Sequence, residues 1–468
     1  MEAALLVSAL AALAASVFPR GKAGRLPAAL CFAGMYAALL VNFVFGGAPV
    51  SPDGLLSSNN VFGCIIIICA ALSAQMSFAY FEKRGRAGLA NEFVPLLMIC
   101  AAALILFVRS NNLAVSFVAL ECATVCLYIL SAFNRGSASS LQAGVKYIII
   151  GGVSGAVFLM GMALMYGAGR LAGADFLSLA NFSAAAGDRM FMCGFVLVLC
   201  AVLFKTAAFP FQFWAPDVYQ GAPTPVSAFL AVASKSAGIV FFAKICASLN
   251  FDSAELMSVR GSLLSGVCAV SALTIIVGNL GGITQLRTKR LLAFSGISNA
   301  GYLLVLIAAL LKNPRTLESL EAVLYFYLGA YMLANYALFF AVAQFEGDDT
   351  FQSLADYRGV VSKYPATGVA LIVNLASLAG IPPTAGFFGK LLVMILAWYA
   401  QLYWLLGVMV AGSAASIYYY FAWIRAMLEK REGGEAEFSP GVGARQTIVV
   451  LAVAVVCVSV FVFSFAGA

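Results

Sequence analysis

Four ionisable side chains stand deep inside long apolar runs: Glu121 at the centre of one, Lys205 well inside another, Lys235 in the middle of the next, and Lys390 within a run over 365–398. On an insertion scale each such charge costs roughly 2.5–3.5 kcal/mol at mid-bilayer, about 10–14 kcal/mol for four left unpaired. A lysine near a helix end can stretch to the interface, but these four are too deep. They are expected to face a hydrated protein interior and one another. The chemistry this allows is proton transfer. An ammonium withdrawn from water holds its proton less tightly, and a neighbouring carboxylate restores the grip, so a balanced group exchanges its proton when the neighbour moves. Static ion pairs are the competing reading. Three deep lysines against one deep glutamate leave at least one lysine without a carboxylate, which argues against it. Lys244, near the end of its run, is expected to be a snorkelling anchor; Lys146, at a helix start, fits a relay or an anchor equally well.

The elements that must hold these residues follow from composition. Of 468 residues, 63% are apolar and 10% charged, against roughly 45–50% and about 25% in soluble domains. Fourteen apolar runs can be counted, near 3–17, 27–45, 61–81, 93–108, 113–132, 145–168, 190–213, 223–246, 262–284, 291–311, 322–344, 365–398, 402–424 and 447–466. A spanning helix needs about 20 such residues. The runs are continuous and do not alternate, which excludes a β-barrel. The fold class expected is an all-α polytopic membrane protein with about 14 transmembrane helices. The first run follows Glu2, with no basic segment before it, and reads as a span and not as a signal peptide.

Other chemistries drop out. There is no histidine, so neither a His-ligated metal nor a His base is available, and the 11 cysteines form no CxxC pair and read as small buried hydrophobes. Gly151-x-x-x-Gly155 reads as close helix packing; no GK[ST] phosphate loop accompanies it. The acidic loop Glu346–Asp349 reads as a solvated face. The net charge of +7 is a matter of membrane orientation. Alternate loops starting from Arg20, Lys22 and Arg25 carry 16 Lys and Arg; the intervening loops carry 6 (Arg109, Arg170, Arg189, Arg260, Lys312 and Arg315). The positive-inside rule places the first set in the cytoplasm and both termini outside.

Two runs must be interrupted. Pro210 follows Lys205 by five residues, and Pro382-Pro383 divides the 34 residues of 365–398. As one helix that run would be about 50 Å long, against a core of about 30 Å. The breaks lie five spans apart, an odd number, so spans four to eight and nine to thirteen are expected to be inverted five-helix repeats, each with one discontinuous helix. The divisions are 1–89 (three helices), 90–246 (first repeat), 262–428 (second repeat) and 429–468 (cytoplasmic loop and last helix).

Residues 204–235 carry a pattern. Phe204-Lys205, Phe209-Pro210-Phe211, Trp214-Ala-Pro216-Asp217-Val-Tyr219-Gln-Gly221-Ala-Pro223-Thr-Pro225 and Ala233-Ser234-Lys235 together resemble the antiporter-like membrane subunits of respiratory complex I. The stretch from Pro216 to Pro223 is most similar to the N-type branch. Lys146-Tyr147, Lys289-Arg290, Ser295-Gly-Ile-Ser298-Asn299-Ala-Gly301-Tyr302 and Gly380-Ile-Pro-Pro-Thr-Ala-Gly386 support the likeness, which covers essentially the whole chain. It implies a fourteen-helix subunit of a bacterial inner membrane, among other membrane-arm subunits and lipid, with no nucleic acid. Protons would move while quinone is reduced elsewhere. No cofactor is expected on this chain, and flavin, iron–sulfur clusters and quinone are expected on partner subunits. The family's axis residues fall on Glu121, Lys205, Lys235 and Lys390, with Lys146, Lys289, Ser298, Asn299 and Tyr302 as further polar positions. Asn299 stands where relatives often carry histidine. It cannot titrate, so Ser298, Tyr302 and water are expected to bridge there. The alternatives are a subunit of a multi-subunit cation/proton antiporter and a passive scaffold.

Overall fold

The computed structural model describes residues 2–17, 26–45, 59–173, 175–185, 187–249, 254–314, 317–345, 352–430, 438 and 440–466. Arg20, Lys22, Arg25, Arg315, Arg431 and the loop Glu346–Asp349 lie outside them. In chain order come α1 (Glu2–Val17), α2 (Leu26–Phe45), α3 (Asn59–Lys83), α4 (Ala90–Arg109), α5 (Leu113–Ser131) and α6 (Ala138–Ala172). The short α7 (Phe182–Ala185) precedes α8 (Arg189–Thr206), α9 (Trp214–Gly221), α10 (Thr224–Phe229) and α11 (Lys235–Ala247). Then follow α12 (Ala254–Ile283), α13 (Thr288–Lys312), α14 (Leu317–Val342), the short α15 (Val360–Lys363), α16 (Pro365–Ala379), α17 (Ala385–Tyr399), α18 (Tyr403–Leu428) and α19 (Val442–Ala466).

Eleven helices among the described residues are long and apolar enough to cross a membrane. They differ in what surrounds them. The stretch Thr224–Ala247 is buried throughout its most apolar part, against 22% for Ala138–Ala172. In a lipid solvent a helix that is apolar on all sides can sit anywhere; here α11, α13 and α14 are inner helices, while much of α6 and α18 faces outward. α8 packs on α11, α11 on α13, and α13 on both α14 and α17. The α10–α11 span carries a π-turn over Leu230–Ser234, a local widening often found at functional sites.

Both expected breaks are present. α8 stops at Thr206 on a left-handed Ala207 (φ 55°), and α16 stops at Ala379 on a left-handed Gly380 (φ 81°). The chain resumes as helix at Trp214 and at Ala385. Left-handed backbone costs a residue with a Cβ roughly 1–2 kcal/mol, so the alanine cap is the strained one of the two. Each half also contains one isolated antiparallel bridge, Asn112 to Ser178 and Arg287 to Ser353.

A buried row of ammonium groups at two helix breaks

Lys205, Lys235 and Lys390 are only 4%, 3% and 4% exposed. None of the three points at lipid. Lys205 occupies the last turn of α8, one residue before the break. Lys235 opens α11 directly after the π-turn. Gly238, one turn further on, lets α8 approach: a Cβ there would meet Thr206 at 2.7 Å and the Lys205 side chain at 3.7 Å. The ammonium nitrogens of Lys205 and Lys235 have no hydrogen-bond partner among the described residues.

Lys390 is held differently. It lies just after the second break and reaches back to donate to the carbonyls of Leu378 (2.8 Å) and Ala379 (3.1 Å). These are the last carbonyls of α16, the negative end of its dipole, where a cation is favoured. Its ammonium also lies 5.2 Å from the centre of the Tyr302 ring, within cation–π range.

Glu121 is half-buried between α5 and α6, close enough to Lys205 for the two charges to interact but with no direct hydrogen bond to it. Thr124 donates to its backbone carbonyl at 2.9 Å and to its carboxylate at 3.5 Å. Gly155 makes room for the carboxylate, since a Cβ there would lie 2.7 Å from Oε1.

The hydrogen bond to Asn299 from outside its own helix does not come from Ser298 or Tyr302. Ser298 donates to Ser295 of its own helix, and the Tyr302 hydroxyl has no partner among the described residues. It is Tyr327 of α14 that donates to Asn299 Oδ1 at 2.6 Å. Asn299, Tyr327, Tyr331, Ser377 and Lys390 line one small cavity, with about 10 Å³ in which a water's centre can sit. That is about the room of one water molecule. Sequence reasoning missed Tyr327 and Tyr331 because it followed charge. The available signal was Tyr327, Tyr331 and Asn335, four residues apart on one face of an apolar helix.

The weaker candidates Lys146 and Lys289 lie apart from this row, at one end of the bundle. Lys146 donates to Asp217 at 2.7 Å and Arg290 to the other oxygen of the same carboxylate at 2.6 Å. Lys289 donates to the carbonyl of Ala222 at 3.0 Å. Partial burial alone would push the Asp217 carboxyl up, but the bonds from Lys146 and Arg290 outweigh it and hold it below the ordinary carboxylate range. Lys244 departs from the anchor role. It is 1% exposed and donates to the carbonyls of Val108, Arg109 and Ser110 at 2.8, 3.2 and 2.8 Å. The end of α4 needs acceptors satisfied, and this ammonium satisfies three.

A helical bundle in which broken helices carry buried charged groups has the architecture of an ion-transporting membrane core. Residues 110–416 match the family described as NADH:quinone oxidoreductase/Mrp antiporter, TM, and the chain belongs to that family. Similar curated proteins are called NADH-quinone oxidoreductase subunit N. The one from Moorella thermoacetica is 35% identical over 88% of this chain and 82% of its own length. Subunit N 1 of Opitutus terrae is 45% identical over 72% of this chain, which spans 66% of that protein's length. Among solved structures, a chain of respiratory complex I from Thermus thermophilus superposes with a TM-score of 0.79 at 30% identity, covering 98% of this chain and 96% of that one. A chain of the Mrp complex from Dietzia reaches 0.80 at 20% identity, covering 99% and 93%, and shares the fold.

Proposed function

We propose that this chain is a proton-translocating membrane-arm subunit of an NADH:quinone oxidoreductase, driven by quinone reduction elsewhere in the complex. One observation carries the reading: the ammonium groups of Lys205 and Lys235 are buried yet have no protein hydrogen-bond partner among the described residues. A cation that only fastened helices together would be paired in the protein. One that lacks such a partner needs water beside it, and a row of wet, buried ammonium groups is a proton path.

In this path Glu121 holds Lys205 through charge. When their separation grows, the ammonium loses its counter-charge and its proton moves toward Lys235 and then Lys390. Uptake is on the cytoplasmic side through the Lys205 half of the bundle, with Lys146 and Lys289 at its mouth, and release is beyond Lys390. Ser298, Asn299 and Tyr302 line the second half.

The membrane layout proposed with it has fourteen spans: the eleven long helices, α1 and α2, and the broken pair α16–α17 counted as one. Residues 1–89 form three N-terminal helices, 90–246 one repeat, 262–428 its inverted copy, and 429–468 a cytoplasmic loop and last helix. The two isolated bridges support the repeat, being separated by the same interval at both ends (287 − 112 and 353 − 178). The caps do too: Ala207 precedes Pro210, and Gly380 precedes Pro383, by the same three residues. Both termini face the outer side of a bacterial inner membrane. The neighbours are other membrane-arm subunits and lipid, and partner subunits carry flavin, iron–sulfur clusters and the quinone site.

The deciding experiment is Lys205→Ala in the assembled complex, reconstituted in vesicles. NADH-driven proton uptake is expected to fall about a hundredfold while the subunit still assembles. Uptake at the unsubstituted rate would overturn the reading.

A further inference from the structure

We propose that Gly296 of α13 is a notch that receives the Lys235 ammonium beside the hydroxyl of Tyr331, and that this junction passes protons from the first half of the molecule to the second. The inference rests on the proton-path reading above and assigns a step within it. A Cβ at Gly296 would lie 2.8 Å from Lys235 Nζ and 3.0 Å from the Tyr331 hydroxyl. Both polar atoms therefore converge on the space that the missing side chain leaves. Both residues are more than nine-tenths buried, and neither atom has a hydrogen-bond partner among the described residues. Atoms placed so about one point are within reach of one shared water.

What lies beyond the notch fits a route. Tyr331 also lines the cavity that holds Asn299, Tyr327 and Lys390. The step balances if the Tyr331 oxygen accepts a proton from the Lys235 ammonium while its own hydroxyl proton passes, through a water in that cavity, to a Lys390 amine that has already released its proton outward. Tyrosine stays neutral, Lys235 becomes an amine, and the hydroxyl then rotates back. A tyrosine here does by hydroxyl exchange what Asn299 cannot do by titration.

The position of the notch is also informative. Gly296 follows Glu121 by the interval that separates the two bridges (296 − 121 and 287 − 112). Where the first half carries a carboxylate, the second carries a space, and the ammonium from the first half fills it. Gly296 is thus a positioning residue.

The test uses the assembled complex in vesicles. Gly296→Ala places its methyl against the far end of a flexible side chain, so the ammonium shifts and the helix stays. NADH-driven proton uptake and turnover per assembled complex are expected to fall about tenfold. Tyr331→Phe keeps the ring and removes the hydroxyl. It is expected to lower both about three- to tenfold and to raise the solvent deuterium isotope effect on turnover, which a merely structural role would leave unchanged. Gly152→Ala, where an added Cβ meets nothing within 4 Å, is the control expected to match the unsubstituted complex. Unsubstituted rates in both variants, or an unchanged isotope effect in Tyr331→Phe, would overturn the junction. Should Gly296→Ala fail to assemble, Tyr331→Phe decides alone. If Lys205→Ala also pumps normally, the whole path fails; if it stops pumping while these two variants run normally, only the junction does.

Discussion

In the first half of the molecule the carbonyl of Phe204 at the helix break accepts from the Ala207 amide at 3.0 Å and from the indole nitrogen of Trp214 at 3.1 Å, and the neighbouring Lys205 ammonium makes no protein hydrogen bond among the described residues. In the second half the carbonyls released by the break, those of Leu378 and Ala379, are taken by Lys390 itself. The two breaks therefore solve one problem, freed backbone acceptors at membrane depth, in opposite ways. At the first, a backbone amide and a neutral indole do the structural work and the lysine takes no part in it. At the second the lysine does that work and is tied to a helix end. The difference teaches that a buried lysine's freedom from the backbone depends on whether other donors have satisfied the carbonyls beside it.

The comparison is most exposed to stability measurements. Lys390→Ala strands two carbonyls and is expected to destabilise the subunit by about 2–3 kcal/mol, read as a lower melting midpoint of the purified complex, whereas Lys205→Ala breaks no hydrogen bond and should melt near the unsubstituted protein. Equal losses in the two variants would erase the distinction. Trp214→Phe removes one of the two donors to the Phe204 carbonyl but retains a ring to stack on Tyr147, whose ring centre lies 4.8 Å away. The Phe204 carbonyl keeps its bond from the Ala207 amide, so a loss of about 1 kcal/mol is expected, together with slower proton uptake if Lys205 swings over to the lone pair that the indole leaves.

The smallest effect belongs to the rim. The Asp217 carboxyl is held below its ordinary value by Lys146 and Arg290. Its bridge adds stability above the unfolded carboxylate value of about 3.9, and that contribution is lost as pH falls through the lower folded value. Asp217→Asn should lower the melting midpoint slightly near neutrality, where the bridge is intact, and flatten its fall in that acid window, so that the two proteins converge at the acid end. An identical acid limb in both proteins would remove Asp217 from the account.

Much of this was legible in the chain. Lys205, Lys235 and Lys390 stood out because a charge in an apolar run has only the protein interior to turn to, and all three are buried. Pro210 and Pro382-Pro383 marked both breaks, since a proline cannot donate to the helix ladder. The depth argument failed for Lys244. Its place near a helix end suggested an interfacial anchor, yet α4 ends against it and offers three carbonyls. Glu121 was expected to face a hydrated interior with the lysines; it is half-buried and makes no direct hydrogen bond to Lys205.

Composition, run length and the positions of proline and charge by themselves determined the lipid solvent, the helical bundle, the two interruptions and the charged residues buried beside them. Those properties follow from one chain segment and its solvent. Only the packed molecule decided that Lys235 fills the space at Gly296, that Tyr327 and not Tyr302 bonds Asn299, and that Lys390 caps α16. Such contacts depend on the rotation and crossing of helices far apart in sequence, and in a chain that is apolar nearly all round, no stripe of polarity fixes that rotation beforehand.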